Sequence, residues 1–346
     1  MQVKQAKEAS RQWVREEGSL LPGFVGAFFH GSISGLADEA VLPATSDIDV
    51  MVVLSGPAPG QKLGKFVYQG ALLEVSFLEE EQVRSAEQIL QNYHLAGSFR
   101  VPGIIQDTSG RLSRLQAAVS EDYAKRLWVR RRCDHAQGNI LNFLASQNEA
   151  APLHDRVMGW LFAAGVTTHV LLVAGLKNPT VRRRYVAVQE LLTQYRLLHF
   201  YEPLLEMLGC ASLSRKQAEH HLAAVTLAFD AAKAVIKTPY RFAADLTDLA
   251  RPVAIDGSRE LIERGLHREA IFWMLATYSR CQWVLAHDAP EALQEEFSAG
   301  YRYLLADMGI ASEADIPRRC DAVRQSLPQV REVAESIIAA NPEIED

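Results

Sequence analysis

The sequence has few of the features that mark secreted, membrane-spanning or nucleic-acid-tracking proteins. Only four of its 346 residues are cysteines, and no two of them form a Cys-x-x-Cys pair. They predict reduced thiols in the cytoplasm rather than disulfides or a zinc site. The first residues contain no apolar core followed by a cleavage site, so we expect no secretory signal. The net charge of −6 argues against a protein that mainly follows a nucleic-acid backbone.

A long uninterrupted apolar run is also missing. The longest apolar stretch, around Trp160 to Leu176, is broken by glycines, threonines and a histidine. It predicts a buried helix, too short and too interrupted to span a membrane. With 48% hydrophobic and 23% charged residues, the chain has the composition of a folded, non-membrane protein.

The hydrophobic pattern changes near residue 115. Before it, short apolar runs alternate with Gly and Pro, which predicts strands at 24–29, 47–54, 65–68 and 71–78 and a last short strand in the segment VPGIIQD. A Gln-Gly pair at 69–70 predicts a two-residue hairpin turn between the third and fourth strands. Helices are predicted at 3–17 and 81–95.

After residue 115 nearly the whole sequence has helical periodicity. Helices are predicted at 115–147, 155–175, 180–198, 200–209, 214–237, 257–286, 289–308 and 313–340. We therefore predict an α+β protein in which a small mixed-sheet domain (1–114) precedes an all-α helical bundle domain (115–346).

An acidic pair opens the second predicted strand. Asp47 and Asp49 are two residues apart in SDIDVMVVL, so in a strand their side chains project from the same face. Two carboxylates beside an apolar core are costly unless a cation lies between them. Carboxylate oxygens are ligands that Mg²⁺ prefers, and the pair therefore predicts a metal site.

A third carboxylate and a Gly-Ser pair extend this site. Glu74 interrupts the apolar strand ALLEVSFL, and a neighbouring strand that brought it to the aspartates would complete a cluster for two divalent ions. Glu74 could then be a shared metal ligand or the general base. In HGSISG, Gly31 lets the backbone approach a phosphate closely and Ser32 can bind its oxygens, with a following helix adding its positive end.

Each of these features has an ordinary structural explanation when it is taken alone. A Gly-Ser pair often forms a simple turn, an Asp-x-Asp often begins a solvated strand, and a glutamate in an edge strand is usually exposed. Their order along the chain favours a common catalytic site.

The run FFHGSISG…SDIDVMVVL…LLEVSFL resembles the DNA polymerase β-type nucleotidyltransferase superfamily. Within it, the chain is most similar to the bacterial antibiotic nucleotidyltransferases, which have a small catalytic domain and a C-terminal helical bundle. The resemblance implies that Gly31 and Ser32 hold triphosphate oxygens and that Asp47 and Asp49 bind Mg²⁺. It further implies that Glu74 is the third ligand or the base. We also assign Ser46, beside the acidic pair, to nucleotide binding.

The expected activity is Mg²⁺-dependent transfer of a nucleoside monophosphate, with two ions (Mg²⁺ or Mn²⁺) and with ATP or another NTP as donor. The acidic net charge favours a small hydroxyl-bearing acceptor such as an aminoglycoside, and thus a role in antibiotic resistance. Transfer to a protein or an RNA end, and a non-catalytic nucleotide-binding module, are the alternatives. The oligomeric state is left open.

Two basic stretches are candidates for contacts with the triphosphate. The helical run KRLWVRRRCDH contains Arg130, and NPTVRRRY contains Arg182 at the start of a helix, where the helix dipole disfavours cations. A solvated helix face is the alternative explanation for both.

Overall fold

The computed structural model describes residues 1–59 and 63–346. In these residues the chain is α+β, with one five-stranded mixed sheet and thirteen α-helices. The strands are β1 (Phe24–His30), β2 (Ile48–Leu54), β3 (Gly64–Tyr68), β4 (Ala71–Glu79) and β5 (Ile104–Asp107). The predicted α+β class is confirmed, and the strands lie close to their predicted positions.

The helices fall into an early group beside the sheet and a later group in the helical part of the chain. The first are α1 (Val3–Glu16), α2 (Ala86–Gln91), α3 (Ala96–Phe99), α4 (Arg111–Asp122) and α5 (Arg126–Ala145). The others are α6 (Leu153–Ala174), α7 (Arg184–Gln194), α8 (Tyr201–Leu208), α9 (Arg215–Val235), α10 (Gly257–Glu263), α11 (His267–Asp288), α12 (Glu291–Asp307) and α13 (Asp315–Ala340).

The strand order of the sheet is β3-β4-β2-β1-β5. Strands β2 and β4 are parallel, and the other neighbours are antiparallel. The predicted hairpin turn between β3 and β4 is confirmed: Gln69 and Gly70 have φ angles of 48° and 80°. Two successive positive φ angles are typical of the tight hairpin turn whose twist matches that of the strands.

The two faces of the sheet are covered by different helices. Helix α1 packs its Trp13 on one face, against residues such as Val50 and Leu73. On the other face, Phe28 and Val53 pack against α2, α3 and α4. Because strand side chains alternate between faces, Asp49 of β2 and Glu74 of β4 belong to this second face, beyond its apolar part.

Several predicted helices are divided in the structure. The 115–147 helix is α4 and α5, and the 257–286 helix is α10 and α11, separated where Gly265 has a φ of 82°. The 81–95 helix is reduced to a 3₁₀ turn and the short α2, because Ser85 caps α2 while the Asn92 side chain accepts backbone N–H bonds just after it. Local capping thus overrides helical periodicity in the 81–95 segment.

The chain divides into two compact units. Unit 1 comprises Met1–His135, Leu176–Pro179 and Pro342–Asp346, and unit 2 comprises Ala136–Gly175 and Thr180–Asn341. The change in sequence pattern near residue 115 therefore marks the end of the sheet, whereas unit 1 continues to His135. The reason is that Val119 of α4 and Trp128 of α5 pack in the same apolar cluster as the sheet residue Phe28.

Helix α6 is 22 residues long, so by length and composition it could cross a membrane. Its length therefore does not support the reason given from the sequence, whereas the buried helix predicted here is confirmed. However, 83% of its most apolar part is buried inside the protein. It packs against α7, α8, α11 and α13 within unit 2, as expected of the central helix of a bundle.

The loop between β5 and α4 is organised by Asp107. Its Oδ2 accepts hydrogen bonds from the Ser113 backbone N–H (2.8 Å) and from the Ser113 hydroxyl (2.9 Å), and Oδ1 accepts one from the Ser109 N–H (3.3 Å). Burial raises the pKa of Asp107, but the hydrogen bonds from Ser113, Ser109 and Gly110 outweigh it, and the net pKa is lowered. The ionised form is thus favoured in the folded state.

We expect Asp107→Ala to lower the free energy of unfolding by about 1 kcal/mol near neutral pH, as for the loss of a helix cap. Because the folded pKa is depressed, this stability is present above the ordinary carboxyl pKa of about 4 and is lost as the pH falls through the folded pKa. Urea unfolding of both proteins at neutral and acidic pH measures the difference.

Asp107→Asn is the matched control, since the amide oxygen still accepts one of the bonds and the expected loss is smaller. An Asp107→Ala penalty that is equally large well below the carboxyl pKa would contradict the capping role of the charge.

Candidate active site

Three carboxylates come together on the second face of the sheet. Asp47, Asp49 and Glu74 each offer an oxygen that lies within 4.8 Å of the others. Asp49 and Glu74 are direct partners in the parallel pairing of β2 with β4, and Asp47 immediately precedes β2. The juxtaposition expected from the sequence is therefore present in the fold.

A row of ionisable residues crosses four strands at this position. Lys65 of β3 pairs with Glu74, Glu74 pairs with Asp49, and Asp49 pairs with His30 of β1. Directly opposed residues in a sheet project to the same face. Strand pairing, and not the conformation of a loop, therefore holds Asp49 and Glu74 together.

Lys65 was not recognised as a site residue from the sequence. Its ammonium group contacts Asp47 Oδ2 and Glu74 Oε2, and only 5% of its side chain is exposed. Burial lowers the pKa of Lys65, but the charges of Asp47 and Glu74 raise it more, so the net pKa is raised and the lysine is charged. The hairpin turn at 69–70 was the available signal, because a two-residue turn there puts residue 65 opposite residue 74.

Gly31 lies against the carboxylate of Asp49. Its φ is 66°, and a Cβ atom at this position would be 3.3 Å from Asp49 Cγ and would overlap Oδ2. A glycine is therefore required by backbone conformation and by space together. This close approach links the Gly-Ser loop to the acidic cluster.

The backbone at Gly31 is supported by residues that are distant in sequence. Asn178 Nδ2 donates a 3.2 Å hydrogen bond to the Gly31 carbonyl. Gly97 makes room for this amide, because a Cβ atom there would overlap Asn178 Oδ1. The neighbouring His30 Nδ1 shares a 2.8 Å hydrogen bond with Ser98 Oγ. No sequence signal identified Asn178, which belongs to the segment of unit 1 between α6 and α7.

The helix expected after the Gly-Ser pair is only a 3₁₀ turn, Gly31–Gly35. Such a short helix has a small dipole, so the expected contribution of a helix N-terminus was too large. Ser32 is exposed in this turn, and Ser46 is half-buried, with its N–H donating to the Pro43 carbonyl (3.1 Å). The assignment of both serines to phosphate binding stays a prediction.

The basic stretch on α5 contains two kinds of arginine. Arg130 is exposed, and its contact with a triphosphate stays a prediction. Arg132 is 1% exposed and donates to the carbonyls of Leu90 (3.1 Å) and Tyr123 (2.7 Å). These bonds join α5 to α2 and to the segment before α5, so Arg132 stabilises the fold.

The arginines of the second basic stretch lie in unit 2. Arg182 is half-buried, and its guanidinium group packs against Gly257; its assignment to the nucleotide stays a prediction. Arg184 is buried, donates from Nε to the Val181 carbonyl (2.8 Å), and lies 3.7 Å above the ring centroid of Phe272. The run of arginines is therefore divided between packing and surface positions.

The residues at the cluster have the chemistry of a site for a hard divalent cation. Three carboxylates within 4.8 Å repel one another strongly, and oxygen donors of this kind suit Mg²⁺ or Mn²⁺. The contacts of Lys65 with two of them also indicate that the cluster attracts positive charge. The donor set thus fits the metal that the sequence resemblance implies.

Comparison with known proteins adds no assignment. No protein-family model matches the chain, and no curated protein has significant sequence similarity to it.

Proposed function

We propose that the protein is a metal-dependent nucleotidyltransferase of the DNA polymerase β type, which transfers a nucleoside monophosphate, with AMP from ATP as first choice, to a hydroxyl group. This proposal rests on one observation: Asp49 and Glu74 are directly opposed in adjacent strands, with Asp47 and Gly31 beside them. A solvated strand start or a simple turn would not need three carboxylates on one face next to a glycine in the left-handed region.

In the proposed reaction the acceptor oxygen attacks the α-phosphorus of the triphosphate. A new P–O bond forms, the bond to the bridging oxygen breaks, and pyrophosphate leaves. Asp47 and Asp49 would hold the divalent cation. Glu74 would be either its third ligand, with the hydroxyl proton passing to water, or the base that takes this proton. The cation, when bound, neutralises phosphate charge and polarises the phosphoryl group.

Gly31 contributes to this proposal through its backbone. The absence of a side chain lets the chain pass close to Asp49, which brings the backbone of the Gly-Ser turn next to the proposed cation. Asn178 holds the Gly31 carbonyl and so keeps the turn in one position. A preorganised turn reduces the entropy lost when the triphosphate is positioned.

A small cationic acceptor, such as an aminoglycoside, is the proposed partner, and antibiotic modification the proposed role. A net charge of −6 attracts a polycationic acceptor and repels a nucleic-acid backbone. Four free, buried cysteines agree with the proposed cytoplasmic location, where thiols stay reduced.

The test is incubation with each α-labelled NTP and Mg²⁺ against aminoglycosides, tRNA and a cell lysate, with Asp49→Asn as the matched control. We expect label on a small basic acceptor, together with released pyrophosphate, and none with the variant. Label on tRNA or on a lysate protein would replace the acceptor proposal. Absence of any transfer by the wild type would reject the enzymatic function in favour of nucleotide binding alone.

A further inference from the structure

Lys65 is a fixed component of the acidic cluster. It lies in β3 directly opposite Glu74, and the tight turn at Gln69 and Gly70 sets this register. Only 5% of its side chain is exposed. The position of the ammonium group is thus determined by the hairpin and not by a mobile surface side chain.

The ammonium group occupies the place where a cation would bridge two of the carboxylates. It contacts one oxygen of Asp47 and one oxygen of Glu74. A metal ion shared by these two residues would need the same region between them. With three carboxylates and one ammonium, the formal charge of the cluster is −3 + 1 = −2, which one divalent ion balances.

A second divalent ion would meet strong repulsion. Paired ions in two-metal sites lie about 4 Å apart. A divalent ion at this distance from the Lys65 ammonium group is repelled by its like charge, and the burial of Lys65 leaves little water to screen the repulsion. The two carboxylates that would have to compensate this repulsion each already give an oxygen to Lys65.

We infer that Lys65 takes the place of one of the two expected metal ions, so that the protein alone binds one divalent cation through the Asp47, Asp49 and Glu74 cluster. This inference deepens the proposed function and rests on it for the identity of the site. It revises the two-ion expectation from the sequence. Lys65 is accordingly a positioning residue that orients Asp47 and Glu74. Its positive charge also replaces part of the charge of the missing second ion.

The experiment counts bound Mn²⁺ by electron paramagnetic resonance on the full chain without nucleotide. We expect one ion per chain for the wild type and a twofold increase for Lys65→Gln. Glutamine removes the charge but keeps an N–H donor for a carboxylate, which protects the fold. Lys65→Met, which removes charge and donor together, is the second variant and should also bind two ions.

Lys7→Gln is the matched control. Lys7 also pairs with a carboxylate, that of Asp38 at 2.9 Å, but it belongs to α1, which packs on the other face of the sheet. The Lys7→Gln protein should bind one ion, like the wild type. Two ions in the wild type, none in the wild type, or one ion in a folded Lys65→Gln protein would each overturn the inference.

The outcome can be separated from that of the proposed function. A wild type that binds one ion but transfers no nucleotide leaves the inference standing and rejects the enzyme. A wild type that transfers nucleotide and binds two ions rejects only the role of Lys65.

Discussion

Asp49→Asn is expected to reduce nucleotide transfer by at least about a hundredfold while leaving the protein folded. Asp49 is a ligand to the proposed cation, and cation stabilisation of developing phosphate charge is worth several kcal/mol, with each 1.4 kcal/mol equal to about tenfold in rate. Transfer of labelled nucleotide, measured with wild type and variant at equal concentration, gives the ratio.

The fold should tolerate this change because Asp49 is one of three mutually repelling carboxylates. At about 5 Å and an effective dielectric constant of about 20, two unit charges repel by about 3 kcal/mol. Neutralising one should therefore not lower the thermal midpoint measured without metal. Asp47→Asn should also abolish transfer, but it removes a partner of Lys65 and should be the less stable of the two. Full activity in either variant would refute the mechanism.

Gly31→Ala is expected to lower the transfer rate by about a hundredfold and to weaken the protein. An alanine with a φ of 66° is in the left-handed region, which costs about 1–2 kcal/mol. Its Cβ would overlap Asp49 Oδ2, so the carboxylate has to move, and a displacement of about 1 Å at a catalytic group can cost about a hundredfold. Transfer kinetics measure the loss of rate, and Mn²⁺ affinity measures the displacement of the Asp49 carboxylate.

The same turn contains a matched control for this prediction. Gly35 ends the 3₁₀ turn that Gly31 begins, and a Cβ atom on Gly35 would have no atom within 4 Å. Gly35→Ala should therefore keep wild-type activity and Mn²⁺ affinity. Equal losses at both positions would indicate a general effect on the turn instead of a specific contact between Gly31 and Asp49.

The elements of the sheet were largely predictable because their signals are local. The apolar runs of β1 and β2, and the Gln-Gly turn at 69–70 between β3 and β4, depend only on neighbouring residues. The helices were less predictable where a break has no strong local marker, as between α4 and α5. Only tertiary packing makes such a break favourable, since each helix then covers its own part of the sheet or bundle.

The three carboxylates of the candidate site could be predicted from the sequence. Asp47, Asp49 and Glu74 each interrupt or border an apolar strand, and period-two alternation places Asp49 and Glu74 on the face opposite to Val50 and Val75. Their convergence required one further condition, the parallel pairing of β2 with β4. Which strands become neighbours depends on burial of whole faces, and no local sequence signal reports it.

The sequence by itself determined the class of the fold and the identity of the acidic residues, because these follow from alternation, turn chemistry and the cost of burying charge. Only the tertiary structure decided that Lys65 contacts two of the carboxylates and that Asn178, 147 residues away along the chain, holds Gly31. Such contacts join distant segments, and their free energy arises only after the chain has packed.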